Sequence, residues 1–167
     1  MDNVFDAINL MLSIIAICVS IHAIRITRVH NKLSVEPICA IIERYHEHNL
    51  AVVIVNRGLG AMIIDSVTVF KNDIERHNLI EFMPKVNQLW NGFSLEIKKR
   101  AILPDHELVL CAIDPESKEI RDQILSALAD ITITVTYHNI YGKTKQKSKT
   151  LSYCKTFLDN NFGYRAK

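Results

Sequence analysis

The sequence predicts a mainly β protein: an antiparallel two-sheet sandwich of about seven strands with one or two short helices, preceded by a single transmembrane helix. Three observations carry this prediction. Residues 7–24 are eighteen positions without Lys, Arg, Asp or Glu. From Leu33 on, apolar residues recur with a period of two. The short apolar runs are punctuated by Gly, Pro, Asn and Asp. The chain therefore divides into residues 1–32, an anchor with a basic juxtamembrane segment, and residues 33–167, the sandwich.

The opening stretch VFDAINLMLSIIAICVSIHAIRITR sets the location. At about 1.5 Å per residue its uncharged part spans roughly 27 Å as a helix, close to the hydrocarbon thickness of a bilayer. A secretory signal begins with positive charge and ends at a small-residue cleavage site. Here the start is acidic, with Asp2 and Asp6, and Arg25, Arg28 and Lys32 follow the apolar run. The positive-inside rule then puts the N-terminus outside and the remainder in the cytoplasm. A cleaved or interfacial segment and a buried core helix are the competing readings. Asp6, Asn9, Ser13, Ala16 and Ser20 follow one another in steps of three and four, so they form one small or polar stripe. Helices in lipid associate through such stripes. The stripe thus predicts a homo-oligomer or pairing with another membrane subunit; the alternative is a lone anchor.

The clearest strand is ITITVTYH, with Ile131, Ile133, Val135 and Tyr137 inward and Thr132, Thr134, Thr136 and His138 outward. FSLEIK repeats the pattern through Phe93, Leu95 and Ile97, and LSYC through Leu151 and Tyr153. ICAII, LAVVIV, MIIDSVTVF and LVLCAI complete seven strands. DPESKEIRDQILSALAD predicts a helix capped by Asp114, with Pro115 first and Ile120, Ile124 and Leu128 facing the core. NDIERHNLIEFM predicts a second, ended by Pro84. NIYG and the Lys-rich stretch after it predict a hairpin between the last two strands.

VIVNRGLGAMIIDSV resembles a motif of small bacterial single-pass membrane proteins: a helix, a basic segment, an extended strand with Pro, then an N-x-G-x-G-P-A-x-I turn. Pro37, Asn56, Gly58, Gly60 and Ile64 match; Ala61 and Met62 stand where that motif has Pro and Ala. The resemblance implies an immunoglobulin-like sandwich on the cytoplasmic side of a bacterial inner membrane, and it supplies no catalytic residue. Read from the residues, Asn56 bonds its own turn while Gly58 and Gly60 supply positive φ. A phosphate loop would need a helix after the glycines, and a strand follows.

Little here points to chemistry. His46, Glu47 and His48 lie at a hairpin tip without further ligands, and His106 lies in a polar loop. Cys18, Cys39, Cys111 and Cys154 have neither close spacing nor an oxidising compartment to pair in, so they read as reduced. No catalytic motif, metal site or cofactor site is expected. Lys143, Lys145, Lys147 and Lys149 alternate, so in extended form they share a face. Three roles are open for them: blocking a sheet edge, resting on anionic lipid, or touching nucleic acid. The last is disfavoured, since 20 Lys and Arg against 18 Asp and Glu is barely basic.

The sequence thus predicts a non-enzymatic interaction or sensor module held on a membrane by one helix, with a protein partner for its cytoplasmic domain and none in nucleic acid. Arg25, Arg28, Lys32 and the four alternating lysines are the expected membrane or partner contacts. Two other readings stay open: an oligomerising membrane effector of the toxin or phage-defence type, gated by the sandwich, and an enzyme with an unrecognised site.

Overall fold

A computed structural model describes residues 2–46, 49–152 and 154. The chain falls into two compact units, residues 1–35 and 36–167. The first is one helix, α1 (Asp2–Ser34). No Gly or Pro interrupts it, and it is long and apolar enough to cross a membrane. It runs two residues past the boundary read from the sequence and stops before Pro37, whose ring disfavours helix at the residue before it. Its hydroxyls turn back on their own helix: Ser13 donates to the Asn9 carbonyl at 2.8 Å, Ser20 to Ala16 at 2.8 Å and Thr27 to Ala23 at 2.9 Å.

The second unit is a sandwich. Its elements are β1 (Cys39–His46), β2 (Asn49–Asn56), β3 (Met62–Lys71), β4 (Ile74–Arg76), β5 (Gly92–Phe93), β6 (Ala101–Ile102), β7 (Glu107–Ile113), α2 (Lys118–Leu128), β8 (Thr132–His138) and β9 (Thr144–Thr150). One sheet has the order β1-β2-β7-β5; the other has β4-β3-β8-β9, with β6 also paired to β3. All pairings are antiparallel. These orders match the ABED and C′CFG sheets of immunoglobulin sandwiches. Leu50, Val52 and Ile54 of β2 meet Ile64, Val67 and Val69 of β3 and Ile133 and Val135 of β8 in one core. Ile124, Leu125 and Leu128 of α2 close it.

Strand β2 is buried on both faces. Ala51, Val53 and Val55 form a second small cluster on its outer side with Ile42, Val109 and Ala112. Arg44 of β1 and Glu107 of β7 join the two flanking strands, with a bond of 2.9 Å from Nη1 to Oε1. Fork-to-fork pairing of this kind fixes both side chains.

Several sequence expectations need correction. Among the described residues nine strands form, three of them only two or three residues long. FSLEIK is strand only at Phe93; Phe93 and Leu95 are exposed and Ile97 alone of the three is buried. The segment is a passage from one sheet to the other, so no partner strand enforces alternation. NDIERHNLIEFM is not a helix. Asn72 and Asp73, at φ 48° and 62°, make the left-handed turn of the β3–β4 hairpin, and only Leu79–Phe82 forms a 3-10 turn. Helix α2 is capped by Ser117, whose hydroxyl accepts from the Ile120 amide at 3.3 Å. Asp114 is instead held by Asn91, whose Nδ2 donates to its carboxylate at 2.8 Å.

Leu151 and Ser152 of LSYC are not strand either. Leu151 is buried as expected, but the strand paired to β8 is the Lys-rich stretch itself. Tyr153, Glu47 and His48 lie outside the described residues.

Candidate functional site

The densest polar construction stands where the chain enters the sandwich. Asn56 ends β2 and is fully buried. Its Oδ1 accepts from the amides of Ile38 at 3.3 Å and Gly58 at 3.0 Å. Its Nδ2 donates to the carbonyls of Gly60 at 2.7 Å and Ile102 at 3.0 Å. All the usual bonds of the side-chain amide are therefore made. Its backbone joins the 103–106 loop: its amide donates to the His106 carbonyl at 3.1 Å and its carbonyl accepts from Asp105 at 2.9 Å. One side chain thus fastens the entering strand, its own turn and a third loop.

The glycines act differently from the sequence expectation. Neither Gly58 nor Gly60 has a left-handed φ. A Cβ on Gly58 would lie 2.2 Å from the Glu36 carbonyl oxygen and 2.5 Å from the Ile38 amide nitrogen. Gly58 is thus required because the entering backbone presses on it, and Gly60 contributes the carbonyl that Asn56 binds. The positive φ belongs to Gly142, at 77°, in the β8–β9 turn. There Asn139 accepts from the amides of Tyr141 and Lys143, both at 3.0 Å.

Lys145, Lys147 and Lys149 share one face of β9, as their alternation implies. Register pairs Lys145 with Tyr137, Lys147 with Val135 and Lys149 with Ile133, all inward positions of β8. Directly paired residues share a face, so the three lysines of β9 lie on the inner side of the edge strand, while Lys143 precedes it. The outer side is Thr150, Ser148 and Gln146; Thr132 and Thr150 hydroxyls bond at 2.8 Å, and Thr134 and Ser148 at 3.0 Å.

Lys149 reaches across to β1, the edge of the other sheet, and Lys145 to Glu36 just before it. Lys145 and Lys143 hold one oxygen of Glu36 at 2.9 and 3.1 Å. Hydrogen bonds from Lys145, and then Lys143, hold the Glu36 carboxyl below its ordinary value, against some desolvation. Lys149 meets Oε1 of Glu43 at 2.8 Å and the carbonyl of Ile41 at 3.1 Å. The Glu43 side chain is only 4% exposed, so this pair is largely out of water. Its other oxygen accepts from the Tyr45 hydroxyl at 2.9 Å, and that hydroxyl lies 2.7 Å from Sγ of Cys154. Burial, helped by Cys154 and Glu43, pushes the Tyr45 phenol upward, and burial pushes the Cys154 thiol up to about 11. Both stay protonated, so this cluster is a lock between β1, β9 and the chain beyond β9, with no activated nucleophile.

A third arrangement lies at the β3 bulge. The register of β3 against β8 shifts between Ile64 and Ser66, and the intervening Asp65 meets Nδ1 of His138 at 2.8 Å. Asp65 also lines an open cleft of about 480 Å³ with His77, Glu96 and Lys98. Among the described residues no three His, Cys, Asp or Glu converge to hold a metal. The four cysteines are free.

Of the residues singled out from sequence, the stripe from Asp6 to Ser20 stays on α1, exposed, as do Arg25, Arg28 and Lys32. The structure brings Asn56, Gly58 and Gly60 together with Lys143 and Lys145 around residues 36–38. It adds Glu36, Glu43, Tyr45 and the Asp65–His138 pair. Glu36 precedes the first strand and Glu43 lies within it; both are the obvious counter-charges for the lysines, yet only the sheet register shows which lysines meet them.

No family model matches the chain, and no curated protein matches it. A structural likeness was found to a chain of the archaeal flagellum of Methanospirillum hungatei strain JF1, at 11% identity and a TM-score of 0.32, over 89% of this chain and 87% of that one.

Proposed function

We propose that the protein is a membrane-tethered, non-enzymatic binding module. Helix α1 crosses a bacterial inner membrane, N-terminus out, and holds the immunoglobulin-like sandwich in the cytoplasm, where it engages a protein partner or copies of itself. The observation that carries this reading is the pairing of a membrane-length apolar helix with a binding-type sandwich through a fastened entry point. The locked, protonated state of Tyr45 and Cys154 supports a scaffold over a catalyst. The test is in-membrane cross-linking of the full chain, with its mass in mild detergent. A discrete oligomer or one stoichiometric cross-linked protein is expected. A monomer without cross-links overturns the reading.

An oligomerising membrane effector is the second reading, favoured by Asn9. Unlike the hydroxyls near it, its amide has no hydrogen-bond partner among the described residues. An amide facing lipid is costly, and a second helix relieves it. Asn9→Leu should abolish membrane leakage on overexpression; leakage that persists counts against this reading.

A further inference from the structure

The two ends of the sandwich differ in chemistry. One end gathers residues 36–38, the 57–61 turn, the 103–106 loop and the 139–143 turn, joined through Asn56 and Glu36. From these four segments Ile38, Leu59, Leu103, Ile140 and Tyr141 project, each more than half exposed. Single exposed hydrophobes are ordinary on any surface. Five from four separate segments at one end are a pattern that no local run in the sequence produces.

Charge follows the same axis. At or beside this end stand Arg57, Lys99, Arg100 and Lys143 against Glu36, Asp105 and Glu107, the last of them paired with Arg44. Among the described residues Arg57 is paired with exposed Asp105, at 3.7 Å. Lys99 sits in the turn leading into β6 with φ 64°, a conformation that Gly or Asn would adopt with less strain. Residues 114–130, toward the other end, hold five carboxylates against two cations.

The apolar and basic end is also where the chain arrives. Val35 alone separates the last residue of α1 from Glu36, so Ile38 lies within about 15 Å of Ser34 whatever the path between them. Arg25, Arg28 and Lys32, toward the end of α1, carry the same sign.

We propose that this end is a lipid-docking surface: its apolar tips enter the interfacial layer of an anionic bilayer, and Arg57, Lys99 and Arg100 meet the headgroups. Tyr141 suits that layer, with an apolar ring and a polar tip. Basic groups near an anionic leaflet add attraction that salt weakens. The proposal rests on the anchorage of α1 but not on any protein partner.

The test uses the full chain in nanodiscs of phosphatidylcholine alone and of phosphatidylcholine with phosphatidylglycerol, read by hydrogen exchange. Peptides over 57–61, 99–106 and 139–143 should exchange severalfold more slowly in the anionic discs, while residues 114–130 exchange alike in both. Arg57→Glu with Lys99→Glu and Arg100→Glu should remove the difference and leave β2 and β8 protected. Equal loop exchange in both lipids overturns the proposal, as does protection that survives charge reversal, which indicates protein contact instead. Incorporation without loop protection defeats this proposal alone; failure to incorporate defeats the anchorage reading and this one with it.

Discussion

Two polar stripes run through this molecule, and they are satisfied in opposite ways. On α1, Ser13, Ser20 and Thr27 donate to carbonyls of their own helix four residues back. On β9, Lys145 and Lys149 reach another sheet and bind Glu36 and Glu43. A helix can satisfy a hydroxyl from its own backbone, because the i−4 carbonyl lies within reach of a short side chain. A strand offers its own side chains no such acceptor, so polar groups on its inner face depend on whatever the fold brings opposite. The hydroxyls of the helical stripe are therefore satisfied locally, Asn9 finds no partner among the described residues, and the strand stripe is a tertiary construction.

The inner lysines also explain how the sandwich closes. β1 and β9 are both edges, and edges invite pairing with other chains. Inward charges on β9, with Lys149 bound to the β1 carbonyl of Ile41, occupy both edges at once. This geometry fits edge protection: the amines of Lys143 and Lys145 meet Glu36, and that of Lys149 meets Glu43.

The comparison can be broken most severely where tertiary satisfaction is densest. Asn56→Ala strands four backbone partners, three of them in buried bonds, and the expected loss is about 3 kcal/mol, read by urea unfolding of the full chain in detergent. Asn56→Asp should recover only part of it, since the two donors are lost. Unchanged stability would mean that the junction is held elsewhere.

Lys149→Ala comes next. It leaves Glu43 buried and unpaired, but Lys149 is itself 37% exposed, so about 2 kcal/mol is expected rather than the full cost of a deep pair. Glu43→Gln combined with Lys149→Met should be milder than Lys149→Ala alone, and the double-mutant cycle measures that coupling.

Acid sharpens the comparison on β9 alone. The Glu36 carboxyl is held below its usual 4.5, so its contribution is complete above that value and is lost as pH falls through the depressed one. Acidification should loosen residues 36–38 and 143–145 before the strand core, seen as faster amide exchange there. Glu36→Gln should remove this pH dependence.

The smallest effect is expected on α1. Ser13→Ala with Ser20→Ala removes only internal bonds, so helix content by circular dichroism should be unchanged, with under about 0.5 kcal/mol involved. A fall in detergent oligomer mass with unchanged helicity would show that the stripe also packs against another helix.

Much of the fold was legible because it follows from period alone. The uninterrupted apolar run of α1, the alternation of β8 and the core face of α2 each depend on residues near one another in sequence. The failures have particular causes. NDIERHNLIEFM has helix-like spacing, but Asn72-Asp73 are residue types that tolerate a left-handed hairpin turn, and the turn prevails. FSLEIK alternates convincingly, but alternation predicts a strand only where a partner exists, and β7 offers pairing only to Gly92 and Phe93.

By itself the sequence determined where the chain turns apolar, which residues alternate, and that Asn56, Gly58 and Gly60 form a turn. Tertiary structure alone decided which face of β9 looks inward, because a register shift of one residue exchanges the faces of a strand. It decided that Gly58 is needed for a backbone 20 residues or more away in sequence, at Glu36 to Ile38, rather than for its own φ. It also decided that Ile38, Leu59, Leu103, Ile140 and Tyr141 share one end. Contacts between distant segments depend on how strands are ordered and paired, and no local pattern of side chains encodes that order.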